Sequence, residues 1–417
     1  MREEPSGRLL GPLQRLMLGW AEFHPYNAVD VADVEGPLDV ARLAEVGDAP
    51  LSIEAEAPGE PPLAALERVA VRELNAPFPP APAGPFRLFV LPSGGMHRVG
   101  LVWDHWAADG FSSARRLGAL LAGSAGAPSF PSPDLTRRQE GPAALGTVGG
   151  AARILGRVAG SVADLIRMRR VLSPSCGARD DLRVEARILP LPPGTIAGLL
   201  AAARRRGVTL HDLLLASLAR SIGEATPGRV DRRRSQVALG SVIDTRKYRP
   251  DGERSSFALD HFPVFVSPGE DREFESLVRR IAGQTRRRKA PGRTGQGELE
   301  ALAANALRPL LRQGSETAFL RRNYVLSAGI SNQRLPDGCL RSMGELQVSG
   351  FRRFVPAGPV CPLAFGLVTG AAPASLTVTW RRTGYPPEER AAILAGFLER
   401  LCEVAASGSV EDHDQKA

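Results

Sequence analysis

The stretch from His97 to Leu121, HRVGLVWDHWAADGFSSARRLGALL, gathers the residues best suited to chemistry. Val99, Leu101 and Trp103 alternate as the inward face of a strand, and His105 continues that parity at its end. Phe111, Ala114, Leu117 and Leu121 then recur at helical spacing. His105, Asp109 and Gly110 therefore sit at a strand-to-helix corner, with Asp104 beside them. A histidine, with an unperturbed pKa of about 6.5, can be kept neutral at such a corner and take a proton from an attacking hydroxyl, amine or thiol. Asp109 can hold the turn by accepting backbone hydrogen bonds or by pairing with an arginine elsewhere, and Gly110 lets the backbone round a tight corner. The same spacing also fits a capped loop in which His105 is only a satisfied polar residue.

The flanking elements have to place this corner. Residues 27–35, NAVDVADVE, read as a first strand with imperfect alternation, followed by a short helical pattern from Leu38 to Val46. A strand over Leu51 to Glu56, a helix around Leu63 to Leu74 and a Pro-rich connection lead into a strand at Phe86 to Leu91. Residues 123–150 are small, Pro- and Gly-rich, and resemble a crossover, after which 151–171 return to a helical pattern ending in RMRRV. That helix fits packing against the body of the protein or lying on a membrane surface.

Beyond Asp181, Val184, Ala186 and Ile188 alternate, and Thr195 is placed to cap a helix running to Arg206. Thr209 and Asp212 have the spacing of a capping box, which makes His211 a helix-end residue. VALGSVIDTR, 237–246, reads as a strand with a charged end, and His261 to Val266 as another, where His261 either faces a channel or finishes a turn. Helical segments follow around Phe274 to Arg287 and Leu299 to Leu311. SNQRLP, 331–336, fits a turn anchored by Asn332, CPLAFG, 361–366, a loop, and SLTVTW, 375–380, a strand. Ile393, Phe397, Leu401 and Val404 mark a closing amphipathic helix, with a polar tail from Gly408.

The 417 residues suffice for two ordinary domains or one large bilobed unit, and 43% hydrophobic content can fill sizeable cores. Cysteines at 176, 339, 361 and 402 have neither metal-ligand spacing nor framework density, so no metal is expected. Lys plus Arg number 53 against 45 Asp plus Glu, a net charge of +8. The excess lies in arginine runs such as 204–206, 232–234 and 286–289, which can attract a nucleotide phosphate, an acidic carrier protein or a lipid surface. Nucleic acid is disfavoured, because no aromatic interleaving, zinc spacing or reader motif accompanies the arginines. With no signal-peptide pattern and no stretch long enough to span a bilayer, the expectation is a cytoplasmic protein, with peripheral membrane association as a further option.

DHWAADG, residues 104–110, resembles the HxxxDG signature of the CoA-dependent acyltransferase superfamily. That group includes chloramphenicol acetyltransferase, plant-type acyltransferases, wax ester synthases, alcohol acetyltransferases and condensation domains. GPLDVARL at 36–43, PFRLFV at 85–90 and GVTLHDLLLASLARSI at 207–222 resemble the family's first strand-helix junction, the strand leading to the motif and the second-lobe helix. Asp104 replaces the first histidine of the tandem-His form, and the DFGWG sequence of the plant-type branch is absent. The resemblance implies an α/β fold of two similar chloramphenicol-acetyltransferase-like lobes around a central substrate channel. It places an N-terminal lobe at 14–125, a linker and crossover helix at 126–180, a second lobe at 181–406 and a tail at 407–417.

It further implies that His105 is the general base, that Arg246 pairs with Asp109 although Asp244 competes for it, and that Ser331 and Asn332 shape the channel or orient an acyl carbonyl. The co-substrate would be acyl-CoA or a phosphopantetheine-linked acyl thioester, and the acceptor a small hydroxyl or amine compound. The partner would be an acyl or peptidyl carrier protein if the donor is carrier-bound. A protein of the same fold that docks a carrier without catalysing transfer is the alternative.

Overall fold

The computed structural model describes residues 10–79, 84–127, 148–172, 181–230, 233–248, 257–268, 273–290, 295–308, 324–335, 343–370 and 373–409. Within them lie two sheets. The first comprises β1 (Asn27–Glu35), β2 (Leu51–Ile53), β3 (Phe86–Ser93), β4 (Met96–Asp104) and β9 (Gln347–Phe354), in the order β2-β3-β4-β1-β9. The second comprises β5 (Val184–Leu189), β6 (Val237–Asp244), β7 (Leu259–Val266), β8 (Ala328–Arg334), β10 (Leu363–Thr369) and β11 (Ser375–Arg381), in the order β5-β11-β10-β8-β6-β7. The expected mixed α/β, two-lobed architecture is thus present. One strand crosses over: β9 comes from the second half of the chain and pairs antiparallel with β1 of the first sheet.

The imperfect alternation of β1 has a physical cause, since both faces of the strand are covered and neither needs polar residues. Ala28, Ala32 and Val34 join Val99, Leu101 and Trp103 of β4 in a core with Ala114, Leu117 and Leu121 of α4 (Gly110–Ser124). Val29 and Val31 turn the other way, onto Leu66, Val69 and Leu74 of α3 (Pro62–Asn75). β4 keeps the parity read from its sequence, so the corner carrying His105 leaves the α4 side of the sheet.

The second sheet is covered by α6 (Thr195–Arg205), α7 (Leu210–Ala225), α8 (Phe274–Lys289) and α10 (Pro387–Ser409). Leu213, Leu214 and Leu218 of α7 and Ile393, Phe397 and Leu401 of α10 pack on Leu239, Ile330, Phe365 and Val378 of the strands. Phe365 and Phe397 meet edge to face at 4.9 Å. The remaining helices are α1 (Pro12–Trp20), α2 (Val40–Gly47), α5 (Val148–Met168) and α9 (Gln296–Leu307).

Several expectations need correction. The N-cap of α6 is Gly194, in the left-handed region at φ 83°, while Thr195 is the first helical residue and its hydroxyl donates to Pro192 O at 2.7 Å. The Thr209–Asp212 capping box of α7 is present as expected. The strand placed at Leu51 to Glu56 ends at Ile53, and α10 runs to Ser409, past the expected start of the tail. CPLAFG is not a loop, because Leu363–Thr369 form β10, buried between parallel β8 and antiparallel β11. Ser331 and Asn332 likewise lie in β8 and not in a turn. Most of the 123–150 crossover, Cys176 and Cys339 lie outside the described residues. Among the described residues, no group of side chains could hold a metal ion and no helix is long and apolar enough to cross a membrane.

α6 and α10 approach backbone to backbone, because a Cβ at Gly198 would meet the Ala405 carbonyl and one at Gly408 would meet Gly198 itself. Gly198→Ala should therefore lower stability by about 1–3 kcal/mol through overpacking. Urea unfolding of the variant checks this, with native-like secondary structure expected in the folded baseline.

Candidate active site

A cavity of about 440 Å³ opens between the two sheets and is walled by both lobes. Its wall is mainly apolar, with Leu13, Met17 and Trp20 of α1, Phe111 of α4 and Leu259 and Phe262 of β7 among the lining. A few polar groups interrupt that wall, the composition usual for a small-molecule site. His105 is one of them.

β4 ends at Asp104, and the next backbone amide, that of His105, donates to Tyr26 O at 3.0 Å. This fixes the start of the corner against the segment entering β1. The imidazole packs beside Tyr26 and Trp103, with ring centroids 5.6 and 6.4 Å away. Nδ1 is enclosed, with the Ala108 backbone beside it. Burial lowers the His105 pKa to about 4; Asp109 opposes the shift and Arg353 adds to it. The ring is therefore neutral at pH 7 and able to accept a proton.

Asp109 is the N-cap of α4, and its Oδ1 accepts from Ser112 N at 3.0 Å. Arg246 closes on the same carboxylate, its Nη2 lying 2.8 Å from Oδ1 and 2.7 Å from Oδ2 and also reaching Ser112 Oγ at 2.8 Å. The pairing is not the two-nitrogen fork expected of a bidentate bridge. One Nη2 serves both oxygens, while Nη1 bonds Asp244 at 3.2 Å, so Asp244 shares Arg246 with Asp109 instead of taking it away. Ala258 N adds a fourth hydrogen bond to Asp109, at 2.7 Å to Oδ2.

A second clamp had no expectation in the sequence. Arg353 of β9 makes the true fork, with Nε to Asp30 Oδ1 at 2.6 Å and Nη2 to Asp30 Oδ2 at 2.7 Å. Its Nη2 also donates to Gly110 O at 2.6 Å, and Nη1 donates to Gln333 Oε1. The corner is thus gripped from two sides, by Arg246 at Asp109 and by Arg353 at Gly110. Signals for this existed in the carboxylate Asp30 inside an otherwise apolar strand and in the Arg352–Arg353 doublet of FRRFV, since a buried charge requires a partner.

The role of Gly110 also changes. It does not lie among the positive-φ glycines, so turn geometry does not demand it. What demands it is space, because a Cβ would overlap the Arg353 guanidinium and the Gln333 amide oxygen.

Ser331, Asn332 and Gln333 line the cavity, and Asn332 Oδ1 and Gln333 Nε2 are enclosed without hydrogen-bond partners. His261 also faces the cavity, with Nε2 3.3 Å from the Tyr324 hydroxyl. His211 does not join them. Its Nε2 lies 2.7 Å from Ser241 Oγ, which fastens the start of α7 to β6. Asp104 is buried and does not line the cavity. Cys361 does line it, but burial raises its thiol to about 12, so it is not a thiolate nucleophile at neutral pH.

Asp109→Asn keeps one N-cap acceptor but removes the charge and turns the other oxygen into an NH2 that faces donors, so the Arg246 cation loses its buried counter-charge. The expected loss is about 3–5 kcal/mol in equilibrium unfolding. A loss confined to a few tenths would show that the ion pair does not hold the corner.

No family model matches the chain, and no curated protein matches it in sequence. Solved structures share its fold. The condensation domain of the monacolin K polyketide synthase superposes with a TM-score of 0.64 at 12% identity, covering 96% of this chain and 97% of that one. Trichothecene 15-O-acetyltransferase from Fusarium sporotrichioides superposes with a TM-score of 0.68 at 12% identity over 95% of both chains. The X-domain from teicoplanin biosynthesis, in a complex with OxyB, gives a TM-score of 0.58 at 16% identity over 97% of this chain and 95% of that one. With its two sheets and shared cavity, the chain has the fold of that condensation domain and that acetyltransferase.

Proposed function

We propose that the protein is an acyltransferase that moves an acyl group from a CoA thioester directly onto a hydroxyl acceptor, with His105 as general base. One observation carries this reading: a neutral, largely enclosed histidine lines a mainly apolar cavity from a corner clamped by two arginines. The HxxxDG spacing and the fold shared with an acetyltransferase support the same chemistry.

In this mechanism the acceptor hydroxyl attacks the thioester carbonyl carbon while Nε2 takes its proton. A C–O bond forms and the carbonyl electrons become an oxyanion. Ser331, Asn332 and backbone groups near Gly110 are the proposed orienting groups. Collapse breaks the C–S bond, sulfur leaves with the electron pair, and the imidazolium returns the proton to the thiolate. The products are an ester and free CoA, with no acyl-enzyme. A base with so low a pKa in the free protein strengthens as negative charge develops beside it, because electrostatic attraction grows in a water-poor cavity.

The condensation-domain fold favours a second reading, in which the donor is carrier-bound and the product an amide or ester. The X-domain likeness favours a third, carrier or protein docking without transfer. Intact-mass detection of product from acyl-CoA and acyl-carrier donors, with pooled hydroxyl and amine acceptors, separates them. Ester formed from acyl-CoA without carrier supports the proposal, strict carrier dependence supports the second reading, and saturable carrier binding without product supports the third.

His105→Ala should lower kcat by roughly 10²–10⁴ in a folded protein, the usual contribution of a general base. In the wild-type enzyme, the acid limb of kcat/KM should fall well below the ordinary histidine value of 6.5, toward about 4. Above that limb His105 is neutral and accepts a proton, and below it the ring is protonated and cannot. A limb centred near 6.5 would contradict the buried, neutral histidine.

A further inference from the structure

α5 is amphipathic with its polar side turned inward. Asp164 is buried and bonds Arg288 of α8 and Gln296 of α9, the latter at 3.0 Å, and the Arg167 guanidinium lies 4.2 Å over the Phe265 ring of β7. These contacts fix the rotation of the helix. They leave Leu155, Val158, Val162, Leu165 and Ile166 facing outward, with exposures of 70%, 47%, 51%, 45% and 62%. Their spacing makes one stripe along the helix, and Ala159 and Ala163, also exposed, fill its gaps. Between residues 155 and 166 the only charged side chains are Arg157 and Asp164, neither of them exposed.

Exposed apolar stripes of this extent mark docking surfaces. The charges around it select the occupant. Arg169 and Arg170 are exposed just beyond the C-terminal end of α5 and continue the exposed surface of the helix with positive charge. An apolar helix face rimmed by cations of one sign suits the headgroup-acyl boundary of an anionic bilayer, which supplies apolar depth and negative charge together.

We propose that the outward face of α5 and its arginine rim form a peripheral docking surface for anionic lipid membranes. The surface is independent of the cavity and of the acyl-transfer reading. The test is flotation of the full chain with phosphatidylcholine vesicles with and without phosphatidylserine. Binding to the anionic vesicles should be about tenfold or more tighter and should weaken with added salt. The triple variant Leu155→Ser, Val162→Ser, Ile166→Ser should lose about tenfold or more of that binding, since the apolar face supplies the insertion. Arg169→Glu with Arg170→Glu, which leaves the apolar face intact, should reduce it separately.

Failure of the wild-type chain to bind anionic vesicles would overturn the proposal. So would binding indifferent to both sets of substitutions, or a face that instead mediates self-association or capture of an acidic carrier protein abolished by the serines.

Discussion

The buried ion pair between Asp109 and Arg246 is the contact from which the site is built. It joins the first residue before α4 to the segment just beyond β6, and so ties a corner of one lobe to the other. Asp109 is fully buried and Arg246 nearly so, which makes the pair costly to desolvate and much costlier to break. Its value lies in geometry more than in net stability. With Ser112 N, Ala258 N and Arg246 all donating to it, the carboxylate has its hydrogen-bonding directions filled by the scaffold. A group so occupied has no free lone pair left to take a proton from a bound acceptor.

The same arrangement sets the electrostatics of His105. Burial works against the protonated ring, and the Arg353 cation works in the same direction, while Asp109 only partly offsets them. Both arginines fasten the corner, and Arg353 adds to the burial that keeps the ring in the neutral form.

How much of this was legible in the sequence depends on how local each feature is. The corner at His105 could be read because alternation and helical periodicity meet there within a few residues. Arg246 was reachable only through the family resemblance, since no local pattern points from residue 246 to residue 109. The Asp30–Arg353 fork was missed because its partners lie 323 residues apart and meet only when β9 pairs with β1. CPLAFG misled for a different reason, as a short strand buried on both sides shows no alternation and reads as an apolar loop. Gly110 stands out in the sequence by its type, but its constraint is the room taken by an arginine from another strand, which no turn rule contains.

The crossover of β9 has a consequence for how the molecule comes into being. Synthesis proceeds from the N-terminus, and β1 to β4 are complete long before residue 347 emerges. Until then β1 presents an unpaired edge, and Asp30 waits without the guanidinium that later neutralises it. The first sheet therefore cannot reach its final form as an independent early unit on the ribosome. Its completion waits for residues 347–354, which couples the first sheet to a segment that follows most of the second.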